Sequence, residues 1–384
     1  MANPKAPLEG LVVVAVEQAV AAPFCSARLA DAGAEVIKIE RPEGDFARGY
    51  DDVAHGQSSY FVWLNRGKKS VVIDLQADDG QAALKGLVAR ADVFLHNLKP
   101  GALDKLGLGI AALRGARRDL ITCSISGYGE VGAGASRKAY DLLIQAESGL
   151  SSITGGPEAP ARVGISVVDI ATGASAHAAI LEALVAQRET GEGADIQVSM
   201  FQVMAEWLTV PLLHAEGGRT PERLGLAHPS IAPYGVFTSA DDRQIIISIQ
   251  SDREWRSLAS GVLGDPGLGG DPRFATNLDR VRNRAETDSL VSRAFVARSR
   301  LELLEALAQA DIAFAELNDM AALSEHALLR RIEVGTAGGP VAMPAPGVSS
   351  SGAPRRYGRV PRLGEHQREL LGRAVEPAPG RGDR

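Results

Sequence analysis

The chain has 384 residues, 45% of them hydrophobic and 23% charged, with a formal net charge of −6. That mixture excludes a mainly disordered chain, and an acidic balance without a basic stripe argues against a nucleic-acid binder. The length exceeds what one hydrophobic core usually serves and predicts two domains.

In chain order, the opening MANPKAPLEG lacks the charged-then-apolar layout of a signal peptide. Apolar runs long enough for a membrane span, about 18 residues, are not seen, so a cytoplasmic protein is expected. Strands are predicted over Leu11–Val16, Glu35–Glu40, Ser70–Leu75, Asp92–His96, Asp119–Ile125 and Ala194–Val198. Several are near-continuous Val/Ile runs, as in strands covered on both faces of a parallel sheet. Helical patterns lie between them over Phe24–Ala32, Gly80–Ala89 and Ala174–Gln187. This alternation predicts a Rossmann-like α/β domain over 1–205. A linker follows over 206–225. A smaller α/β domain is expected over 226–330, with a strand at Gln244–Ile249 and helices through Arg330. The segment 331–384 is expected to return to the large domain. Its stretch Gly335–Gly358 reads as a Gly/Pro-rich loop, Gly364–Arg373 as a short helix and Pro377–Arg384 as a frayed tail.

The usual cofactor signatures are missing. The first strand runs into Glu17-Gln18-Ala19-Val20-Ala21-Ala22-Pro23 rather than G-x-G-x-x-G. Walker A, H-E-x-x-H and G-x-S-x-G sequences do not stand out, and the seven histidines do not cluster. Cys25 and Cys123 read as small buried hydrophobes.

Asp169 follows an apolar run and precedes a helix of small residues. By position it reads first as a helix N-cap. The same position suits a nucleophile, since helix N–H groups favour an ionised carboxylate. Arg41 and the turn His96-Asn97-Leu98-Lys99-Pro100-Gly101 follow the second and fourth strands, where α/β sheets bind ligands. Arg41 equally suits a surface pair with Glu40 or Glu43, and the turn an ordinary Pro-Gly stop. Arg137 and Lys138 beside Tyr140 suit either a nucleotide clamp or a plain helix entry.

Ordered motifs then carry a resemblance. They are Pro7-Leu8-Glu9-Gly10; Leu29-Ala30-Asp31-Ala32-Gly33-Ala34-Glu35-Val36-Ile37-Lys38-Ile39-Glu40; Asn65-Arg66-Gly67-Lys68-Lys69-Ser70; and Asn97-Leu98-Lys99-Pro100-Gly101. Ser126-Gly127-Tyr128-Gly129, Tyr140-Asp141-Leu142-Leu143-Ile144-Gln145-Ala146, Asp271-Pro272-Arg273-Phe274 and Gly364-Glu365-His366 follow. Together they resemble the class III CoA-transferases from Pro7 to about Gly372. The resemblance implies that Asp169 is the nucleophile, forming an aspartyl-CoA thioester, and that Arg41, Asn97, Lys99, Arg137, Lys138 and Tyr140 surround coenzyme A. Val20, Tyr60, His228 and Tyr234 are implied substrate contacts. Coenzyme A enters as a substrate, and no permanently bound cofactor or metal is implied. An interlocked, ring-shaped homodimer is implied as well.

The sequence departs from the formyl-CoA branch. Val20 stands near where that branch carries glutamine. Ala227–Tyr234 replaces its glycine run and is similar to the branch acting on small dicarboxylates such as mesaconate, itaconate, malate, citramalate and glutarate, with succinyl-CoA as donor. His228 would then meet a distal carboxylate, or be a loop histidine before a proline. Intramolecular transfer between the two carboxyls of mesaconyl-CoA is an alternative. A 2-methylacyl-CoA racemase on the same fold is the rival. That chemistry expects a histidine in Arg137-Lys138-Ala139-Tyr140-Asp141, which has none. A catalytically dead CoA-binding protein is a third reading, opposed by the retained Asp169 and its cationic companions.

Overall fold

The computed structural model describes residues 5–352 and 355–372. The frayed tail expected over Pro377–Arg384 lies outside the described residues. The chain divides into two units, the first Met1–Leu150, Val163–Val210 and Arg330–Arg384, the second Ser151–Arg162 and Pro211–Leu329.

The first unit begins with β1 (Val12–Val16), α1 (Ala21–Asp31), β2 (Glu35–Glu40), α2 (Ser59–Asn65), β3 (Lys69–Val72), α3 (Asp78–Val88) and β4 (Val93–His96). It continues with α4 (Ala102–Lys105), α5 (Ile110–Ala116), β5 (Ile121–Ser126) and α6 (Asp141–Glu147). The four-residue α7 (Leu150–Ile153) precedes α8 (Val167–Thr190), β6 (Asp195–Ser199) and α9 (Met200–Trp207). All six strands are parallel, in the order β3-β2-β1-β4-β5-β6.

The Val/Ile runs form these strands because each strand feeds two cores. Val13 and Ala15 join one cluster with α1, α8 and α9, while Val14 and Val16 join another with α3 and α4. Alternate side chains leave a strand on opposite faces, so a doubly covered sheet needs apolar residues at every position. Each fully buried Val, Leu or Ile contributes about 1.5–3 kcal/mol of transfer free energy. Cys25 and Cys123 are free thiols in the first cluster.

α8 is the one helix among the described residues that is long and apolar enough to cross a membrane. Here it is a core helix of the sheet, packed against α1, β5, β6 and α9. Gly173 permits that packing: a Cβ there would meet the Ala21 carbonyl oxygen at 2.4 Å.

The returning segment is more regular than its composition suggests. Its Gly/Pro-rich stretch begins inside an antiparallel hairpin, with β10 (Arg331–Thr336) pairing β11 (Gly339–Pro344). Ile332, Val334, Val341 and Met343 turn one apolar face onto Phe61 and Val62 of α2. Alternation thus overrode the glycines and prolines. The short α16 (Gln367–Leu371) seals the edge of β3: the Gln367 amide exchanges two 2.9 Å hydrogen bonds with the Val72 backbone.

The second unit contains an antiparallel sheet of β7 (Tyr234–Thr238), β8 (Gln244–Ser248) and β9 (Ala313–Glu316). Its other elements are α11 (Asp252–Gly261), α12 (Asn277–Arg282), α13 (Arg284–Val296), α14 (Arg300–Gln309) and α15 (Met320–Glu325). The helix α10 (Thr209–Glu216) leads into it. β9 falls where the sequence suggests helical stretches through Arg330, and β7 was likewise not expected. Both strands are short, and neither shows the Val/Ile run that marks the parallel strands.

Candidate active site

In an open parallel sheet ligands bind beyond the carboxyl ends of the strands, where the strand order reverses. Here that point lies between β1 and β4. The Asn97 side chain, just after β4, accepts from Gln18 N at 3.0 Å and donates to Gln18 O at 2.9 Å. Both polar ends of its amide therefore clasp the loop after β1. Ala19 holds a left-handed backbone, φ 61°, and its N–H donates to Asp45 at 3.2 Å. Val20 is buried, and neither it nor any other side chain caps the start of α1.

Fully buried charges support this loop from beneath. Lys68 Nζ lies 2.6 Å from Glu17, and Lys38 Nζ lies 2.8 Å from Asp45 and 3.5 Å from Glu17. Ser26 donates to Glu17 at 2.6 Å. Burial pushes the Lys68 amine down to about 8, although Glu17 opposes it. Burial acts the same way on Lys38, but Glu17, Asp45 and Glu40 outweigh it and the amine rises. A lysine inside Val-Ile-Lys-Ile is a sequence sign of such pairing, because an unpartnered buried ammonium is prohibitively costly.

Asp169 sits in the first turn of α8, reachable by solvent yet ringed by protein. It is not the cap. Ser166 holds the N-cap position, and the Asp141 carboxylate accepts from Val168 N at 2.8 Å and Asp169 N at 3.2 Å. This reverses the expected electrostatics. The helix N–H groups stabilise Asp141, while burial first and the Asp141 charge second push the Asp169 carboxyl up to about 7.

Tyr60 comes near: its hydroxyl lies 3.5 Å from Ser166 Oγ. Tyr50 stands edge-on to Tyr60, with ring centroids 5.5 Å apart. Its phenol is pushed up to about 12 by burial, then by Asp45, Asp169, Tyr140 and Tyr60 within electrostatic reach. Tyr50 and Asp141 are the members of this group that sequence reasoning missed. Asp141 lay inside a quoted motif, but nothing local showed that it reaches a helix 27 residues away.

The cationic residues are more dispersed. Arg41 is half-exposed, donates to Gly44 O at 2.9 Å and stands 4.0 Å from Glu43, while Glu40 is taken by Arg48. Lys99 and Lys138 are exposed, as is Tyr140, which precedes α6. Arg137 stacks on Tyr128 rather than Tyr140, at 4.2 Å, and grips Glu147 with two 2.6 Å bonds. In the second unit His228 stacks on Tyr234, with centroids 5.3 Å apart. Its Nδ1 accepts from Ser230 N at 3.1 Å. With Nδ1 accepting, Nε2 carries the ring N–H, and burial and then Arg284 lower the imidazole. Among the described residues no three His, Cys, Asp or Glu side chains gather as a metal site.

Known proteins agree with this architecture. A sequence profile described as CoA-transferase family III matches residues 8–367. A succinate–glutarate CoA-transferase of Agrobacterium fabrum is 35% identical, covering 97% of this chain and 96% of its own. An acetyl-CoA:oxalate CoA-transferase of Acetobacter aceti is 36% identical over 83% of each. The crystal structure of a CAIB/BAIF family protein from Brucella suis superposes with a TM-score of 0.81 at 34% identity, covering 96% of this chain and 99% of that one. A match spanning residues 8–367 places the protein among the enzymes of CoA-transferase family III.

Proposed function

We propose that the enzyme moves coenzyme A from an acyl-CoA, with succinyl-CoA the best candidate, to a small dicarboxylic acid through a covalent intermediate on Asp169. The observation that carries this reading is the place of Asp169 in the first turn of α8, where Asp141 takes the Val168 and Asp169 N–H groups and, with burial, raises the Asp169 carboxyl to about 7. Near neutrality such a group is ionised in part, and its carboxylate is more basic than an ordinary aspartate's. A more basic oxygen is a stronger nucleophile toward a thioester carbonyl.

The carboxylate attacks the donor carbonyl and expels CoA thiolate, leaving a mixed anhydride. The thiolate attacks the aspartyl carbonyl, releasing the first acid and forming an aspartyl-CoA thioester. The acceptor carboxylate attacks that thioester, and the returning thiolate captures its acyl group and frees Asp169. Each step exchanges one acyl bond for another, so no hydrolysis intervenes. The uncapped first turn of α1 lies against α8 one turn beyond Asp169, and its N–H groups suit an oxyanion.

Arg41, Asn97, Lys99, Arg137, Lys138 and Tyr140 are assigned to coenzyme A. Exposure of Lys99, Lys138 and Tyr140 leaves them free to meet a polyphosphate and a ring, whereas Asn97 acts through the Gln18 backbone. Val20 and Tyr60 are assigned to the acyl group. His228, with Tyr234 against its ring, is assigned to a substrate carboxylate through its Nε2–H. Self-association as a homodimer accords with the apolar side chains of Leu142, Leu143 and Val185 left in solvent.

The test is a panel of dicarboxylic acids offered with succinyl-CoA and read by mass spectrometry, with hydroxylamine trapping of the working enzyme. New acyl-CoA and modification at Asp169 are expected. Racemisation of a chiral acyl-CoA without CoA exchange would overturn the reading.

A further inference from the structure

A charged cavity of about 210 Å³ lies in the first unit, between α1, the end of α2 and the returning segment 343–348. Three arginines, Arg28, Arg66 and Arg355, line it with a single carboxylate, Asp31. Arg66 satisfies Asp31, with Nε to Oδ1 at 2.9 Å and Nη2 to Oδ2 at 2.5 Å, and spends its remaining nitrogen on the Trp63 carbonyl. Arg28 and Arg355 act on Asp31 only at a distance, as charges that lower its carboxyl against the rise from burial. Among the described residues neither makes a direct ion pair with an acid, and the Arg28 Nε is buried with no acceptor. The Arg28 guanidinium lies 5.6 Å from the Phe24 ring, which is edge-on to Trp63 at 5.7 Å.

A buried guanidinium nitrogen without an acceptor is costly, and a carboxylate or phosphate oxygen is its natural partner. Three guanidiniums against one carboxylate leave an excess of two positive charges in the cavity. Neutral His177 accords with that field: burial lowers it to about 4, and Arg28 and Arg355 act in the same direction. The aromatic and Met-Pro walls favour an apolar body behind the anion.

We propose that this cavity binds a small organic anion, a carboxylate or phosphate monoester with a compact apolar body, at a site separate from Asp169. The same chemistry has two sources: a free acid, or an acidic side chain of a second copy of the chain. The open cavity and its aromatic walls favour the free acid.

The probe is 4-bromobenzoate, titrated into the full-length enzyme by calorimetry. Saturable binding of one molecule per chain is expected. Arg28→Met with Arg355→Met should weaken it about ten-fold or more, while Asp169→Asn leaves it unchanged. A bromine anomalous peak beside Arg28 and Arg355 in crystals of the unmodified enzyme is expected independently of whether the double variant folds. Absence of saturable binding, equal affinity in a folded double variant, loss in Asp169→Asn, or no bromine at the arginines would each overturn the proposal. If the unmodified enzyme ignores the probe and the double variant shows a smaller mass by light scattering, the cavity belongs to a carboxylate of a second copy, and the free-ligand site is rejected.

Discussion

Two buried acidic groups in the first unit are treated in opposite ways. Glu17 is fully enclosed but meets Lys68 at 2.6 Å, Lys38 at 3.5 Å and the Ser26 hydroxyl at 2.6 Å. Asp169 is less enclosed, yet burial and the charge of another carboxylate, Asp141, hold its proton to about 7. Burial with partners makes a support, and burial against like charge makes a reactive group. The loop after β1 joins the two arrangements, since Glu17 begins it and the helix it leads into packs on α8.

The comparison can be broken at four points. Asp169→Asn should lower CoA transfer by about 10⁴-fold or more while acyl-CoA still binds, as removal of a covalent nucleophile does. Near-normal turnover, read by steady-state kinetics, would place the chemistry elsewhere. Lys68→Met should cost about 3–5 kcal/mol of stability by leaving Glu17 underpaired. Urea unfolding checks this, and a loss under about 1 kcal/mol would show that Lys38 and Ser26 suffice.

A smaller effect sharpens the electrostatic half. Activity of the natural enzyme should rise with pH through about 7, because the ionised Asp169 attacks. Asp141→Asn keeps an acceptor for Val168 N and Asp169 N but removes the like charge. The acid limb of kcat/KM should fall by roughly one pH unit, yet stay above the ordinary carboxylate range because burial persists. An unmoved limb would remove Asp141 from the argument.

The smallest effect is on thermal stability. The folded carboxyl of Asp169 titrates above its unfolded value, so the folded state holds the extra proton between about pH 4 and 7. Stability from this group is full at low pH and is lost as pH rises toward 7. Asp169→Asn should therefore raise Tm at pH 8 by on the order of 2–4 °C and change it less at pH 5. An equal change at both values would count against the raised pKa.

Much of the fold was legible in the residues. The strand Glu35–Glu40 has the same bounds in sequence and structure, and the other parallel strands differ by a few residues at their ends. Their Val/Ile runs are a local consequence of being covered on both faces. The hairpin β10–β11 was hidden because its glycines and prolines mask an alternation that matters only once α2 lies against it. At the site, Asp169 was legible as the group to watch, but the helix N–H groups expected to hold it go to Asp141 instead.

By itself, then, the sequence determined the parallel sheet, the family and the aspartate at the start of α8, because apolar periodicity and motif order are written along the chain. The tertiary structure alone decided which carboxylate receives the N–H groups of that helix. It also decided that Asn97 clasps Gln18 79 residues earlier, and that Lys38 and Lys68 share Glu17. Those outcomes depend on distances between residues far apart in sequence. Whether a buried charge is stabilised or left reactive is set by such distances rather than by its chain neighbours.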